Sequence, residues 1–178
     1  MTYVVRESRS EADAQAITAL RREIFELELG HAYGAMCDDL DEYSTNFVVE
    51  FRGEIIAGAR FTVRADGPLE DEAELELEQW TQAFADTEIG QCSRLFVVRR
   101  HRGEGIVGDL AAQIHEVAMQ RGVALVFVDA EPKLVDYYRE HGFHAFRPGY
   151  VHRVLGHVYV PLVRFVGSGE PAMNVGLR

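Results

Sequence analysis

The stretch Arg100-His101-Arg102-Gly103-Glu104-Gly105-Ile106 decides the reading of this chain. It follows the apolar run Leu95-Phe96-Val97-Val98 and opens a segment in which Ile106, Leu110, Ile114, Val117 and Ala118 share one helical face. A strand ends, a glycine-containing loop turns, and a helix begins. The first N–H groups of a helix lack intrahelical partners, and with the helix dipole they make a site for a phosphate or pyrophosphate. Gly103 and Gly105 permit positive φ and a close backbone approach to such a ligand. Arg100 and Arg102 add compensating charge. Two other phosphate loops fit less well. The pattern G-x-x-x-x-G-K-[ST] is absent. Gly103, Gly105 and Gly108 match G-x-G-x-x-G formally, yet the acid expected about twenty residues on falls in the apolar run around Val123, and Asp129 comes too late.

Downstream, Gly122 closes the helix and Val123 to Val128 reads as a buried strand. Lys133 to His141 reads as a short helix capped by Gly142, followed by strand material at Phe143 to Phe146 and Val151 to Val166. Upstream, Cys92 to Val98 is a strand. Phe47 to Phe51 and Ile55 to Val63 form a hairpin through Arg52-Gly53-Glu54. Tyr3 to Val5 is a short apolar run. Ser8 with Glu11 fits a capping box, with Ser10 as a rival cap, and Ile17, Leu20, Ile24 and Leu27 predict an amphipathic helix over 10–28. His31 to Thr45 reads as loop, and Pro68 to Glu78 as an acidic loop with a helical turn or two. The expectation is one α/β domain over residues 1–178, with a mixed sheet of six or seven strands covered by helices.

Composition narrows the function. The net charge of -11 disfavours nucleic acid as a partner. No apolar run reaches the ~20 residues needed to span a bilayer. The start MTYVVRESRSEADA lacks the basic and apolar regions of a secretory signal. Cys37 and Cys92 form no disulfide framework, and no metal-ligand spacing is present, so a cytoplasmic protein without a metal is expected. Charge is segregated: Asp66 to Glu88 holds nine acids and no Lys or Arg, while Ile89 to Gly103 holds Arg94, Arg99, Arg100, Arg102 and no acid. A small basic patch suits a discrete anion.

The order strand, R-x-x-G-x-G loop, helix, strand, short helix, then Tyr138-Arg139-Glu140-His141-Gly142-Phe143 resembles the GNAT superfamily of CoA-dependent acyltransferases. Arg100 to Gly105 is similar to its [QR]-x-x-G-x-[GA] signature, and Tyr138 to Phe143 to its Y-x-x-x-G-F signature. The resemblance implies a mixed, largely antiparallel sheet with helices on both faces and a splayed central strand pair. It implies that Arg102, Gly103, Glu104, Gly105 and Ile106 cradle the CoA pyrophosphate. Phe96, Val97 and Val98 would bind the pantetheine arm through their main chain, and Tyr138 would protonate the leaving thiolate.

The first half resembles the autoinducer-synthase-like branch of that superfamily, which includes acyl-homoserine lactone synthases and N-acyl amino acid synthases. The residues that carry this are Arg21-x-x-x-Phe25, Asp38-x-x-Asp41, Gly58-x-Arg60 and Ser93-Arg94-Leu95-Phe96-Val97. Asp41 to Asn46 is close to D-x-x-S-x-H, with Asn46 in place of His. Positions that help hold S-adenosylmethionine in lactone synthases carry Met36, His31 and Gln91 instead. The resemblance thus implies acyl transfer from acyl-CoA, or an acyl-phosphopantetheine carrier protein, to a small-molecule amine. Alternatives are an S-adenosylmethionine-using lactone synthase and a non-catalytic acyl-CoA-binding module.

Taken alone, Arg21 reads as a solvated helix charge, and Asp38 and Asp41 as loop acids in water. Arg60 and Arg94 each interrupt an apolar strand, and a buried charge needs a partner. We expect one of them to pair with Asp38 or Asp41 and shape the acceptor pocket. Candidate bases for the amine are Asp38, Asp41, Asp129, Glu131, His144 and His152. Cys92 reads as inert core. An acidic carrier would dock on Arg94 to Arg102, with Arg121 and Arg139. Val158 to Val166 is apolar enough to pair with a second copy, and a buried terminal strand explains it equally well, so monomer and homodimer both stay open.

Overall fold

The computed structural model describes residues 2–32, 34, 38–84, 87–153 and 155–167; Met36 and Cys37 lie outside them. Strand β1 (Val4–Glu7) leads through α1 (Glu11–Arg21) to the hairpin β2 (Ser44–Phe51) and β3 (Glu54–Val63). Then come α2 (Leu77–Ala83), β4 (Glu88–Val97), α3 (Ile106–Gln120), β5 (Val123–Ala130) and α4 (Val135–Glu140). Three strands close the chain: β6 (His144–Ala145), β7 (Tyr150–Val151) and β8 (Val158–Phe165). They order as β1-β2-β3-β4-β5-β8-β6, with β7 also pairing β8. The expected six or seven strands are eight, because the segment after Gly142 contributes two short strands before β8. Strand β8 pairs with β5 and also with β6 and β7.

Every pairing is antiparallel except β4 with β5. Side-chain alternation covers both faces of the sheet. Phe47 and Val49 pack with Ile106, Leu110 and Ile114 of α3, while Val48 packs with Ile17 and Ile24 on the opposite face. Trp80 of α2 joins Leu125 and Phe127, and Val135 and Tyr138 of α4 join Val128.

Ser10, rather than Ser8, caps α1: its side chain accepts from the Asp13 N–H. The helical segment does reach residue 28, but Arg22–Glu28 is a π-helix, seen in the Leu29 N–H bonding the Ile24 carbonyl across five residues. This widening rotates the face away from a simple helical period. Ile24 is buried, Leu27 stands 77% exposed, and Phe25 turns toward a cavity.

The feature that makes the site is the parting of β4 from β5. They pair from Glu88↔Val123 only as far as Gln91↔Phe127, although β4 continues to Val97 and β5 to Ala130. Just past that point β4 bulges. Arg60 faces Ser93 and Gly58 faces Phe96, so Arg94 and Leu95 together oppose Ala59. Arg94 takes a left-handed φ of 54 there. A bulge bends its strand and re-aims side chains, and this one drives β4 away from β5.

Candidate active site

The gap between the strands opens into a cavity on each face of the sheet. On the α3/α4 face a cavity of about 90 Å³ is mostly apolar, with Val107, Leu110, Ile114, Val126, Val128 and Phe143 among its walls. On the opposite face a cavity of about 120 Å³ is lined by Phe25, His31, Glu70, Asp71, Arg94, Asp129, Glu131, His152 and Tyr159, among others. Cys92, Leu95 and Tyr138 line both, so the two cavities adjoin across these side chains, where the strands part.

Tyr138 is held there by the way α4 ends. Gly142, at φ 81, donates to the Arg139 carbonyl at 3.0 Å, and Phe143 donates to the Tyr138 carbonyl at 3.1 Å. This is a Schellman cap, whose last residue packs on the residue three before the helix end. Those two residues are Phe143 and Tyr138, with ring centroids 5.4 Å apart, edge to face. The Tyr-x-x-x-Gly-Phe pattern is thus a capping motif as well as a site motif. Burial pushes the Tyr138 phenol above its ordinary pKa, with smaller contributions from Cys92 and Tyr137, so it stays protonated. Burial likewise pushes the Cys92 thiol up to about 12, which keeps it an inert wall.

The glycine loop has the geometry expected of it. Gly103 and Gly105 have φ of 83 and 79, and nothing within 4 Å of either would meet an added Cβ. Gly105 is the N-cap of α3, and no side chain caps the amides of the first turn. His101, buried at the turn, accepts from Arg100 Nε at 3.1 Å and faces Glu104 at 3.3 Å, which braces the loop. The arginines are already engaged. Arg102 holds Glu28 at 2.9 Å and donates to the Val97 carbonyl at 3.0 Å, and Arg100 holds Glu54 at 2.9 Å. Of the three residues expected to meet a pantetheine arm, Val98 already donates its N–H to Ile56 O at 2.9 Å. Alternation in an antiparallel ladder then directs the Val97 N–H to the other edge, toward the space that β5 has left.

The cavity on the face opposite α3 rests on a buried ionic network. Arg60, 0% exposed, donates to Ser93 at 3.0 Å, to Glu70 at 2.8 Å and to Asp38, and lies 3.5 Å from Asp41. Arg94 reaches Asp38 at 2.9 Å and Glu70 at 2.7 Å. Arg21, 2% exposed, donates to Asp41 and to Asn46, each at 2.6 Å. Three guanidinium groups thus meet three carboxylates. The expected pairing of Arg60 and Arg94 with Asp38 is present. The readings of Arg21 as solvated, and of Asp38 and Asp41 as free loop acids, are overturned: the loop folds back over the end of α1 and closes the network. Burial would push Arg60 down, but Glu70, Asp38 and Asp41 hold its pKa above the ordinary value. Burial would raise Asp38, but Arg60 and Arg94 hold it low. Arg21 is lowered by burial, against the pull of Asp41.

Sequence reasoning missed Glu70, which sits in the acidic stretch Pro68 to Glu78 that reads as a loop with a helical turn or two. Gln91 fixes it by accepting from its N–H at 2.6 Å and donating to its carbonyl at 3.1 Å. The signal lay in charge counting: three arginines near apolar segments need a third carboxylate beyond Asp38 and Asp41. Glu70, Asp71 and His152 could each bring one ligand atom within 4.8 Å of the others. Their atoms have other partners, however. Glu70 gives both oxygens to Arg60 and Arg94, and Asp71 Oδ2 lies 2.6 Å from His152 Nε2. This donor set is an internal ion-pair cluster rather than a metal cage.

A strand pair that parts at a bulge, with a glycine-loop helix start beside the gap, is the arrangement that the resemblance to CoA-dependent acyltransferases implies. The chain belongs to the acetyltransferase (GNAT) family, whose model matches residues 14–143. No curated protein is matched. Among solved structures, the chain is similar in fold to FeeM, an N-acyl amino acid synthase from uncultured soil microbes. That likeness has a TM-score of 0.81 and 14% identity, over 93% of this chain and 91% of that one. It is also similar to BjaI, a CoA-dependent acyl-homoserine lactone synthase (TM-score 0.71, 18% identity, 93% and 84% covered). An acyl-CoA N-acyltransferase from Pseudomonas aeruginosa gives 0.68, at 18% identity over 92% and 99%. Two of these three have the activities of the branch that the first half of the sequence resembles. Among the described residues, no helix is long and apolar enough to cross a membrane.

Proposed function

We propose that the protein transfers an acyl group from a pantetheine thioester to the amine of a small molecule. The observation that carries this reading is that two cavities, one on each face of the sheet, adjoin across Cys92, Leu95 and Tyr138 beside the parted strands. The thioester enters from the α3/α4 face, its pyrophosphate on the first-turn amides of α3 and its arm along the edge of β4. The acceptor enters from the other face. Of the four carboxylates on the cavity walls there, Glu70 is paired with Arg60 and Arg94, Asp71 with His152 and Glu131 with Lys133, while Asp129 stands in no ion pair among the described residues and suits a cationic ammonium.

The amine attacks the thioester carbonyl directly. The Val97 N–H, facing the gap, stabilises the developing oxyanion. Tyr138, kept protonated by burial, gives its proton to the departing sulfur. Free acyl-CoA is favoured over an acidic carrier protein as donor. Each arginine of the expected docking patch has an acid beside it: Arg94 with Asp38, Arg99 and Arg102 with Glu28, Arg100 with Glu54, Arg121 with Asp66, and Arg139 with Asp136. A carrier docks through side-chain charge, whereas a pyrophosphate is cradled by amides.

Thermal-shift titration with CoA, octanoyl-CoA and S-adenosylmethionine, followed by thiol release with an amine panel, tests the reading. A ligand at a hundredfold over its Kd adds ~2.7 kcal/mol, or roughly 5–11 °C for a chain of this size. Stabilisation by the CoA species with amine-dependent thiol release is expected. Stabilisation by S-adenosylmethionine with methylthioadenosine release would replace this reading with lactone synthesis. CoA binding without thiol release to any amine would leave a binding module.

A further inference from the structure

Amine attack requires the acceptor's ammonium to lose a proton, and the structure separates the groups able to take it. Asp38 and Asp41 are held by Arg60, Arg94 and Arg21. His144 lies exposed on β6 and does not line the acceptor cavity. Glu131 is 2.5 Å from Lys133 Nζ. His152 accepts the Leu155 N–H on Nδ1 at 3.2 Å and meets Asp71 through Nε2, so both its ring nitrogens are committed. His31 Nδ1 is buried and unmet among the described residues, but its ring is stacked on His157, with centroids 4.7 Å apart, and tilted against Phe25.

Asp129 differs from all of these. It lies on the part of β5 that β4 has left, beyond Phe127. Val126 and Val128 line the donor-side cavity, and Asp129 lines the acceptor side. Its Oδ2 accepts from the Tyr150 hydroxyl at 3.2 Å. Its Oδ1 is buried and meets no donor among the described residues. One carboxylate oxygen is thus held by Tyr150 and the other has no partner among the described residues, in a side chain that lines the same cavity as Tyr138.

We propose that the Asp129 carboxylate is the base that takes the proton of the acceptor ammonium, with Tyr150 as its positioning residue. The proposal rests on the transfer reading above. The ammonium gives one proton to Asp129, and the free nitrogen bonds to the thioester carbon. The C–S bond breaks, the sulfur takes the Tyr138 proton, and the second nitrogen proton restores the phenol. The products are an amide, a thiol and a protonated Asp129, which releases its proton to water. The groups facing Asp129 are Tyr150, Asp71, Glu70 and His152, with Glu131 and Tyr159 on the same cavity wall. Burial first, then Asp71 and Glu70, push its carboxyl up to about 7, against the Tyr150 hydrogen bond and His152. A base of that strength is about half ionised at pH 7 and lies closer to an amine, with its pKa of ~10, than an ordinary carboxylate does.

The test measures thiol release from octanoyl-CoA with phenethylamine between pH 5.5 and 9.5 for the wild type, Asp129→Asn and Tyr150→Phe. The wild type should show an acidic limb in kcat/KM near neutrality. Asp129→Asn should lose roughly 10²–10⁴-fold in kcat, and with it that limb. Tyr150→Phe should keep activity at high pH and move the limb upward, because the lost hydrogen bond had favoured the carboxylate. A carboxyl ¹³C titration of Asp-labelled protein, with Asp129→Asn identifying the signal, reads the same group without turnover.

Amine-dependent release that keeps its limb in Asp129→Asn, or an Asp129 signal titrating below pH 5, would overturn the proposal alone; His31→Gln would then be the variant to make. No release by the wild type with any amine would overturn the transfer reading and this assignment together. Should Asp129→Asn fail to fold, Tyr150→Phe decides: a limb that does not move refutes the pairing.

Discussion

Phe143 packs edge-on against Tyr138 at 5.4 Å, and the same two residues close the hydrogen bond that ends α4. The cap and the acid therefore separate cleanly by substitution. Tyr138→Phe keeps the ring contact and removes only the hydroxyl. It should melt within ~1 °C of the wild type and lose about 10²-fold in thiol release. Gly142→Ala, at a positive φ, should cost ~1 kcal/mol and lower turnover by shifting the phenol. Melting curves beside turnover rates check both. Equal rates for Tyr138→Phe and the wild type would remove the phenol from the chemistry.

Arg60 contacts Asp38, Glu70 and Ser93 with no exposure to solvent. Removing one member of a buried ion-pair cluster leaves uncompensated charge, at a cost of ~3–5 kcal/mol. Arg60→Met should lower the melting temperature by roughly 6–20 °C. Asp38→Asn, which keeps its size and loses its charge, should cost less, since Glu70 remains to both arginines. Chemical denaturation of the two variants gives the comparison directly.

Gly105 caps α3 with a left-handed φ and open space where a Cβ would stand. Gly105→Val should therefore cost backbone strain rather than a clash, about 1–2 kcal/mol. The stabilisation by CoA should disappear, because the first-turn amides would no longer converge. Thermal shift with and without CoA separates the two effects.

Ala111 of α3 is exposed yet lines the donor-side cavity. Ala111→Trp should fill part of that space with little change in stability. The KM for octanoyl-CoA should rise at least tenfold and that for acetyl-CoA less. A rise of equal size for both donors would place the acyl chain elsewhere.

The second half of the chain was largely legible from sequence, because its signals are local. The β4–loop–α3 junction, the apolar run of β5 and the cap at Gly142 each declare themselves within a few residues. The ionic network was only half legible. Arg60 and Arg94 stand out in apolar strands, so their need for partners could be read. Arg21 could not be distinguished from a surface charge, since its partner Asp41 lies twenty positions on, in a loop without period. Glu70 was hidden among neighbouring acids. The π-turn at Arg22–Glu28 also left no trace, because its effect on Phe25 and Leu27 is one of rotation, not composition. Asp129 is one of six candidate bases in the sequence; what sets it apart are the ion pairs and hydrogen bonds of Asp38, Asp41, Glu131 and His152 and the exposed place of His144, none of which the sequence displays.

The acceptor cavity has two walls of different kinds. On one side stand Arg94 and Glu70, whose side chains also neutralise Arg60 and Asp38. On the other stand Phe25, Leu155 and Tyr159, which carry no ion pair. A change in the first wall disturbs the charge balance that keeps the domain folded, while a change in the second alters only shape and contact. New shape can therefore be built at Phe25, Leu155 and Tyr159 without touching the charges on which Arg60 and Asp38 depend.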